Sequence, residues 1–194
     1  MNTVQSAEKA DSSVIDHIMA SLGNFSVSDR DCVRELWEDY INNHPQSTYQ
    51  FCTCRDFISQ NTLGFACFGK HALTETTFDL YWIAVDPANQ RTGAGSDLLA
   101  YVEQQVIRQQ GRRLIIETSS TDAFASARNF YRRHHYQREA TIRDFYAPGD
   151  HLVIYTKILI PPQGLVVEPG WEDSFDRQPG IFSFRGPRRS RHPG

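Results

Sequence analysis

The sequence predicts an α/β chain of the α+β kind, with a central mixed, mostly antiparallel sheet flanked by helices. Three observations carry that expectation. Three strand-like runs, 49–55, 63–72 and 77–85, follow one another across short loops, the pattern of antiparallel neighbours. A helix, a buried strand and a second helix then occupy 96–135, and a strand–helix–strand unit of this kind requires a right-handed parallel crossover. Two further runs, 136–145 and 151–160, are joined by Pro148-Gly149-Asp150, a turn sequence.

Each element has its own signal. Residues 1–12 are polar and read as a mobile lead-in. Val14, Ile15, Ile18 and Met19 then recur at helical spacing and predict a short amphipathic helix. A longer helix follows. Ser28 is its expected N-cap and Asp31 completes a short-armed capping box, while Val33, Leu36, Trp37, Tyr40 and Ile41 form the stripe. His44-Pro45 stops it. The three runs are rich in aromatic, β-branched and small apolar residues, and Asp86-Pro87 ends the third. Leu98, Leu99, Val102 and Val106 stripe the next helix, with Gly111 as the expected left-handed residue past its end. The stretch 113–118 reads as a buried strand, and 122–135 as a helix with Phe124, Ala127, Phe130 and Tyr131 on one side.

Composition bounds the function. The chain has 194 residues, 40% hydrophobic and 22% charged, enough for a core without a disulfide or metal staple. A net charge of −3 excludes a strongly basic nucleic-acid binder as the default and an acidic disordered chain. No apolar run is long enough to span a bilayer, and the start lacks a basic-then-apolar leader. A cytoplasmic protein with reduced thiols is expected. Six of the nine prolines fall in 161–194, so the chain divides into an N-terminal extension (1–26), a domain (27–160) and a Pro/Gly/Arg-rich tail (161–194). The tail carries Trp171, Phe175, Phe182 and Phe184 and ends with Arg185, Arg188, Arg189 and Arg191. It reads either as a disordered extension or as a strap that packs on its own domain or a partner.

Cys52 and Cys54 form C-x-C on a strand, where they share a face. With no second pair at zinc-ligand spacing, buried thiols are favoured over a metal site, and none is expected. The loop Gln90-Arg91-Thr92-Gly93-Ala94-Gly95 opens a helix at Ser96. Amides at a helix N-terminus lack partners and the dipole adds positive potential, which suits phosphate; the alternative is an ordinary glycine-bearing loop. Two nucleotide motifs fail. The run from Gly64 to Lys70-His71 nearly spells a phosphate-binding P-loop, but His71 replaces the Ser or Thr that would hold magnesium, and the run is strand-like. After Gly93-x-Gly95 the third dinucleotide position is Leu98 instead of glycine.

On these residues the chain resembles the GCN5-related N-acetyltransferase (GNAT) family. The loop matches its Q/R-x-x-G-x-G/A signature. Leu80-Tyr81-Trp82-Ile83-Ala84-Val85-Asp86-Pro87 resembles its fourth strand, and Ala127-Arg128-Asn129-Phe130-Tyr131 onward resembles its A-x-x-F-Y motif. The three occur in family order within 27–160. The resemblance implies a GNAT-like acyl-CoA N-acyltransferase fold and acetyl-CoA as co-substrate. It implies that Gln90, Arg91, Thr92, Gly93, Ala94, Gly95 and Ser96 wrap the pyrophosphate. Ile83, Ala84 and Val85 line the thioester cleft, which a bulge opens, and a backbone N–H there holds the oxyanion. Tyr131 matches the acid that meets the departing thiolate. For the base it offers Glu117, or Asp79, or water; Glu117, flanked by Ile115 and Ile116, is expected half-buried with a raised pKa. Asp144 and Asp150, in the loop between the last two strands, border the acceptor site and suit a cationic amine.

The sequence departs from the family in three places, one being that the segment between Glu117 and Tyr131 is longer than in ribosomal-protein-acetylating members. Phe124 stands where many members carry a coenzyme-contacting Asn, and His135-Tyr136 replaces the usual Gly-Phe, so a different helix end is expected. The activity implied is transfer of an acetyl group from acetyl-CoA to a primary amine of a small molecule or peptide, by direct attack in a ternary complex. The alternatives are a catalytically silent acyl-CoA-binding regulator and an interaction module run by the tail. The fold often forms homodimers; nucleic acid and membrane are not expected as partners.

Overall fold

A computed structural model of the chain describes residues 1–43 and 45–159. The tail, with its aromatics and arginines, lies outside the described residues. Seven strands form one sheet: β1 (Asn2–Ser6), β2 (Tyr49–Asp56), β3 (Thr62–Lys70), β4 (Thr77–Val85), β5 (Arg113–Ser119), β6 (Gln137–Ala147) and β7 (Asp150–Ile158), ordered β1-β2-β3-β4-β5-β7-β6. Every neighbouring pair is antiparallel except β4 and β5. The mixed sheet and its parallel crossover are as expected, as is the passage of the P-loop lookalike through β3.

Helices cover the sheet on both faces. α1 (Ser12–Ser21) and α2 (Val27–Asn43) pack on one; α3 (Ala94–Arg108) and α4 (Ala125–Arg133) on the other. On the first face Trp37 meets Phe51 edge-on at 5.1 Å, and Phe51 stacks on Phe65. On the second, Leu98, Leu99, Val102 and Val106 of α3 pack on Cys52, Cys54, Phe78 and Leu80. Each such fully buried side chain contributes about 1.5–3 kcal/mol. Burial pushes the Cys52 thiol up to about 12 and Cys54 to about 11, so both stay protonated.

Four local expectations are corrected. Residues 1–26 are not an extension: β1 pairs with β2 from Asn2↔Asp56 to Ser6↔Cys52, and Ile15, Ile18 and Met19 of α1 are buried with Ala7, Phe51 and Phe65. The α2 box lies two residues earlier than expected. Ser26 N donates to Asp29 Oδ2 (2.7 Å) and Asp29 N to Ser26 Oγ (3.1 Å). Past α3 the left-handed position belongs to Gln110 (φ 61°), not Gly111. Gly111 follows it because a Cβ there would meet Val106 and Phe78 at 2.4–2.7 Å. Past α4, His135 keeps the left-handed conformation (φ 65°) of the glycine it replaces. Tyr136 N donates to Tyr131 O and His135 N to Arg132 O, so the ordinary Schellman closure survives without glycine.

Candidate active site

The site begins where β4 and β5 part. They pair only from Thr77↔Arg113 to Leu80↔Ile116. At the same point the β3 register slips, with Cys67 opposite Trp82 and Phe68 opposite Leu80, so Tyr81 is the extra residue of a bulge. Beyond it, β4 stays with β3 as far as Gly64↔Val85. That approach requires glycine, since a Cβ on Gly64 would come within 2.5 Å of Ala84 O. Asp86 N donates to Leu63 O on the β3 side (2.9 Å), and strand alternation puts Ala84 on that side too. The N–H groups of Ile83 and Val85 therefore face the gap, where β5 has left. Their side chains pack against the α3 face, and Ala84 is buried on the other.

The gap leads to the loop 90–96. Gly93 caps α3 with φ 90°, and the first helical bond is Asp97 N to Gly93 O (3.0 Å). The amides of Ala94, Gly95 and Ser96 thus have no intrahelical acceptor. Arg91 is exposed and also left-handed (φ 63°). Two braces hold this loop, neither legible in its own motif. Asn2 of β1 donates to Thr92 O (3.2 Å) and to Asp97 Oδ2 (2.8 Å), engaging the one carboxylate in the first turn of α3. From α4, His134 Nε2 bonds Ser96 Oγ (3.1 Å) while the Phe130 ring lies against Gly95.

Tyr131 belongs to the α3 and α4 side of the sheet. It is 7% exposed, beside Tyr155 and Tyr136, and its hydroxyl makes no hydrogen bond among the described residues. Burial alone raises its pKa, so it stays a phenol. Glu117 alternates with buried Ile116 and so points to the opposite face. It is more exposed than expected, yet its pKa is raised, first by desolvation and second by the Asp79 charge; His71 pulls it down. The two base candidates are therefore near neighbours on one face. Asp79 accepts a 2.7 Å hydrogen bond from His71 Nδ1, a partner the motifs did not reveal.

The two aspartates expected in the loop between the last strands lie instead in the strands themselves, Asp144 near the end of β6 and Asp150 at the start of β7, and both are engaged locally. Asp144 accepts from Gly149 N (2.8 Å), and Asp150 from Ser119 Oγ (2.6 Å) and Ser120 N. Between them Tyr146 reaches back, its pKa raised by burial and then by Glu117, Asp150 and Asp29. Across the cleft Phe25, between α1 and α2, meets Trp82 edge-on (5.5 Å) and Phe124 (5.9 Å). Sequence reasoning missed Phe25, because an aromatic in a connection has no periodicity. Among the described residues no helix is long and apolar enough to cross a membrane, and no three His, Cys, Asp or Glu side chains gather as a metal site.

Comparison with known proteins gives the same picture. Residues 47–138 match the profile of the acetyltransferase (GNAT) domain. A GNAT-family acetyltransferase from Desulfovibrio desulfuricans is 32% identical, with 82% of this chain and 100% of that one covered and a TM-score of 0.78. The ribosomal-protein-S18-alanine N-acetyltransferase of Escherichia coli shares the fold at 21% identity, 85% and 99% coverage and a TM-score of 0.65. So does a Salmonella typhimurium acetyltransferase solved with acetyl-CoA, at 19% identity, 84% and 96% coverage and a TM-score of 0.65. No curated protein sequence gives a significant match.

Proposed function

Because the chain belongs to the GNAT family of acetyltransferases, we propose that it moves an acetyl group from acetyl-CoA to a primary amine of a small molecule or peptide, by direct attack within a ternary complex. One observation carries this reading. The fork between β4 and β5 presents two amides, Ile83 and Val85, that are unpaired among the described residues, and opens toward the amides of the 90–96 loop that lack helical acceptors. A thioester with a pyrophosphate-bearing tail needs both. The Salmonella neighbour, solved with acetyl-CoA, supports the choice of donor.

The residues divide the work. The amides of Ala94, Gly95 and Ser96, with the α3 dipole and Arg91, hold the pyrophosphate. The amides of Ile83 and Val85 sit where negative charge develops on the thioester oxygen, an electrostatic contribution of about 10²–10³ in rate for one well-placed donor. On the open face, Glu117 takes the proton of the incoming ammonium so that nitrogen can attack. From the other face Tyr131, whose hydroxyl has no partner among the described residues, donates a hydrogen bond to the departing sulfur. The cationic amine approaches the carboxylates on the open face, with Asp150 and Tyr146 at its edge.

The test is release of free thiol from acetyl-CoA across a panel of amines, amino acids, aminoglycosides and peptides. An active amine is expected, and Tyr131→Phe should bind acetyl-CoA normally in calorimetry while turning over about tenfold or more slowly. Tight binding with no thiol release from any amine would identify a silent acyl-CoA-binding protein instead. Unchanged turnover in Tyr131→Phe would remove that residue from the mechanism.

A further inference from the structure

We propose that His71 is a positioning residue for acetyl transfer, holding Asp79 by a hydrogen bond and thereby setting the charge beside the Glu117 base. The inference rests on the reading of Glu117 given above.

The strand register assembles the three groups. His71 directly follows β3, and its N–H donates to Thr77 O (2.9 Å), which keeps it in line with the hairpin. Gly69 lies opposite Asp79, so His71, two residues on, projects to the same face as Asp79. Its ring nitrogen closes on the carboxylate at 2.7 Å; His71 is 47% exposed and Asp79 18%. In the parallel register Asp79 pairs with Ile115, so Glu117 is its diagonal neighbour on that face. The fork opens directly beyond this point.

The charges explain why the pair matters. Asp79 from β4, His71 from the turn before it and Tyr146 from β6 face Glu117, and the Tyr81 hydroxyl of β4 is a second hydrogen-bond partner of Asp79. Among the described residues neither Glu117 nor Asp79 pairs with Lys or Arg; the basic side chain beside them is His71. An unpaired Asp79 would drive Glu117 to keep its proton, the wrong state for a base. The His71 hydrogen bond fixes the Asp79 carboxylate in place, and His71 pulls the Glu117 pKa down against the Asp79 charge.

The test needs no knowledge of the acceptor. In the full chain labelled with ¹³C at the glutamate carboxyls, Glu117 is the resonance lost in Glu117→Gln. His71→Gln should raise its titration midpoint by about half a pH unit, and Asp79→Asn should lower it by a similar amount. His71→Lys, which keeps a positive charge, should bring it back toward the original value. A purely structural role would not move the midpoint in opposite directions. Should Asp79→Asn fail to fold, His71→Gln against His71→Lys decides alone. A midpoint unmoved by His71→Gln overturns the inference. The base reading fails separately, if Glu117→Gln releases thiol as fast as the unaltered protein.

Discussion

The two ends of the fork are made of different material. Toward the loop 90–96 the chain presents main-chain amides, placed by a bulge at Tyr81, a close β3–β4 contact at Gly64 and a left-handed Gly93. On the opposite face of the sheet it presents side chains: Glu117 of β5, Asp79 of β4 and His71 just past β3, with Tyr146 at the edge. The first surface depends on backbone conformation and survives most side-chain changes. The second depends on charges whose state each neighbour shifts. Donor binding and proton transfer should therefore be separable by mutation.

The largest expected effect breaks the side-chain end alone. Glu117→Gln should lower kcat/KM about 10²–10³-fold while the acetyl-CoA Kd from calorimetry stays within about twofold. The sign of its pH dependence follows from desolvation and Asp79, which raise the Glu117 pKa. A base must be ionised, so kcat/KM should fall with decreasing pH through a limb above the ordinary glutamate range. Glu117→Gln should abolish that limb. The next effect breaks the backbone end. At Gly93 a Cβ has room, its nearest neighbours being 3.8 Å away, but φ is 90°. Gly93→Ala therefore strains the loop by about 1–2 kcal/mol, and acetyl-CoA should bind roughly tenfold more weakly. The pH limb should not move. The smallest effect concerns the support beneath the loop. His135→Gly relieves an exposed left-handed residue and should raise stability by about 0.5–1 kcal/mol, read as a Tm increase of a few degrees in a thermal melt.

The same comparison explains what the sequence made legible. The backbone end leaves a trace in the sequence: the glycines and helix start of 90–96 stand at a fixed spacing, and the resemblance to the family points to 83–85. Tyr131 is proposed from the resemblance of its motif, and the structure buries it on the α3 and α4 side of the sheet. The open face was readable only in part. Glu117 and Asp79 appeared as rivals, and only the parallel register of β4 with β5 makes them neighbours. His71 drew notice solely as a defect in a P-loop, because a hydrogen bond across a hairpin leaves no periodic trace. In the fold, β1 was hidden because Asn2–Ser6 is a short edge strand with polar residues on both sides of Val4, so alternation is weak. The α2 start was displaced because Ser26-x-x-Asp29 and Ser28-x-x-Asp31 spell the same box. The α4 end was misjudged because a non-glycine can hold the left-handed position when two hydrogen bonds close around it.

The central claim is that main-chain amides along the fork bind the donor. It is tested most directly by titrating the ¹⁵N-labelled protein with acetyl-CoA and following each amide by NMR. The amides of Ile83, Val85, Ala94, Gly95 and Ser96 should move most, with Glu117→Gln giving the same pattern. Saturable binding that leaves those five amides unmoved would contradict the account.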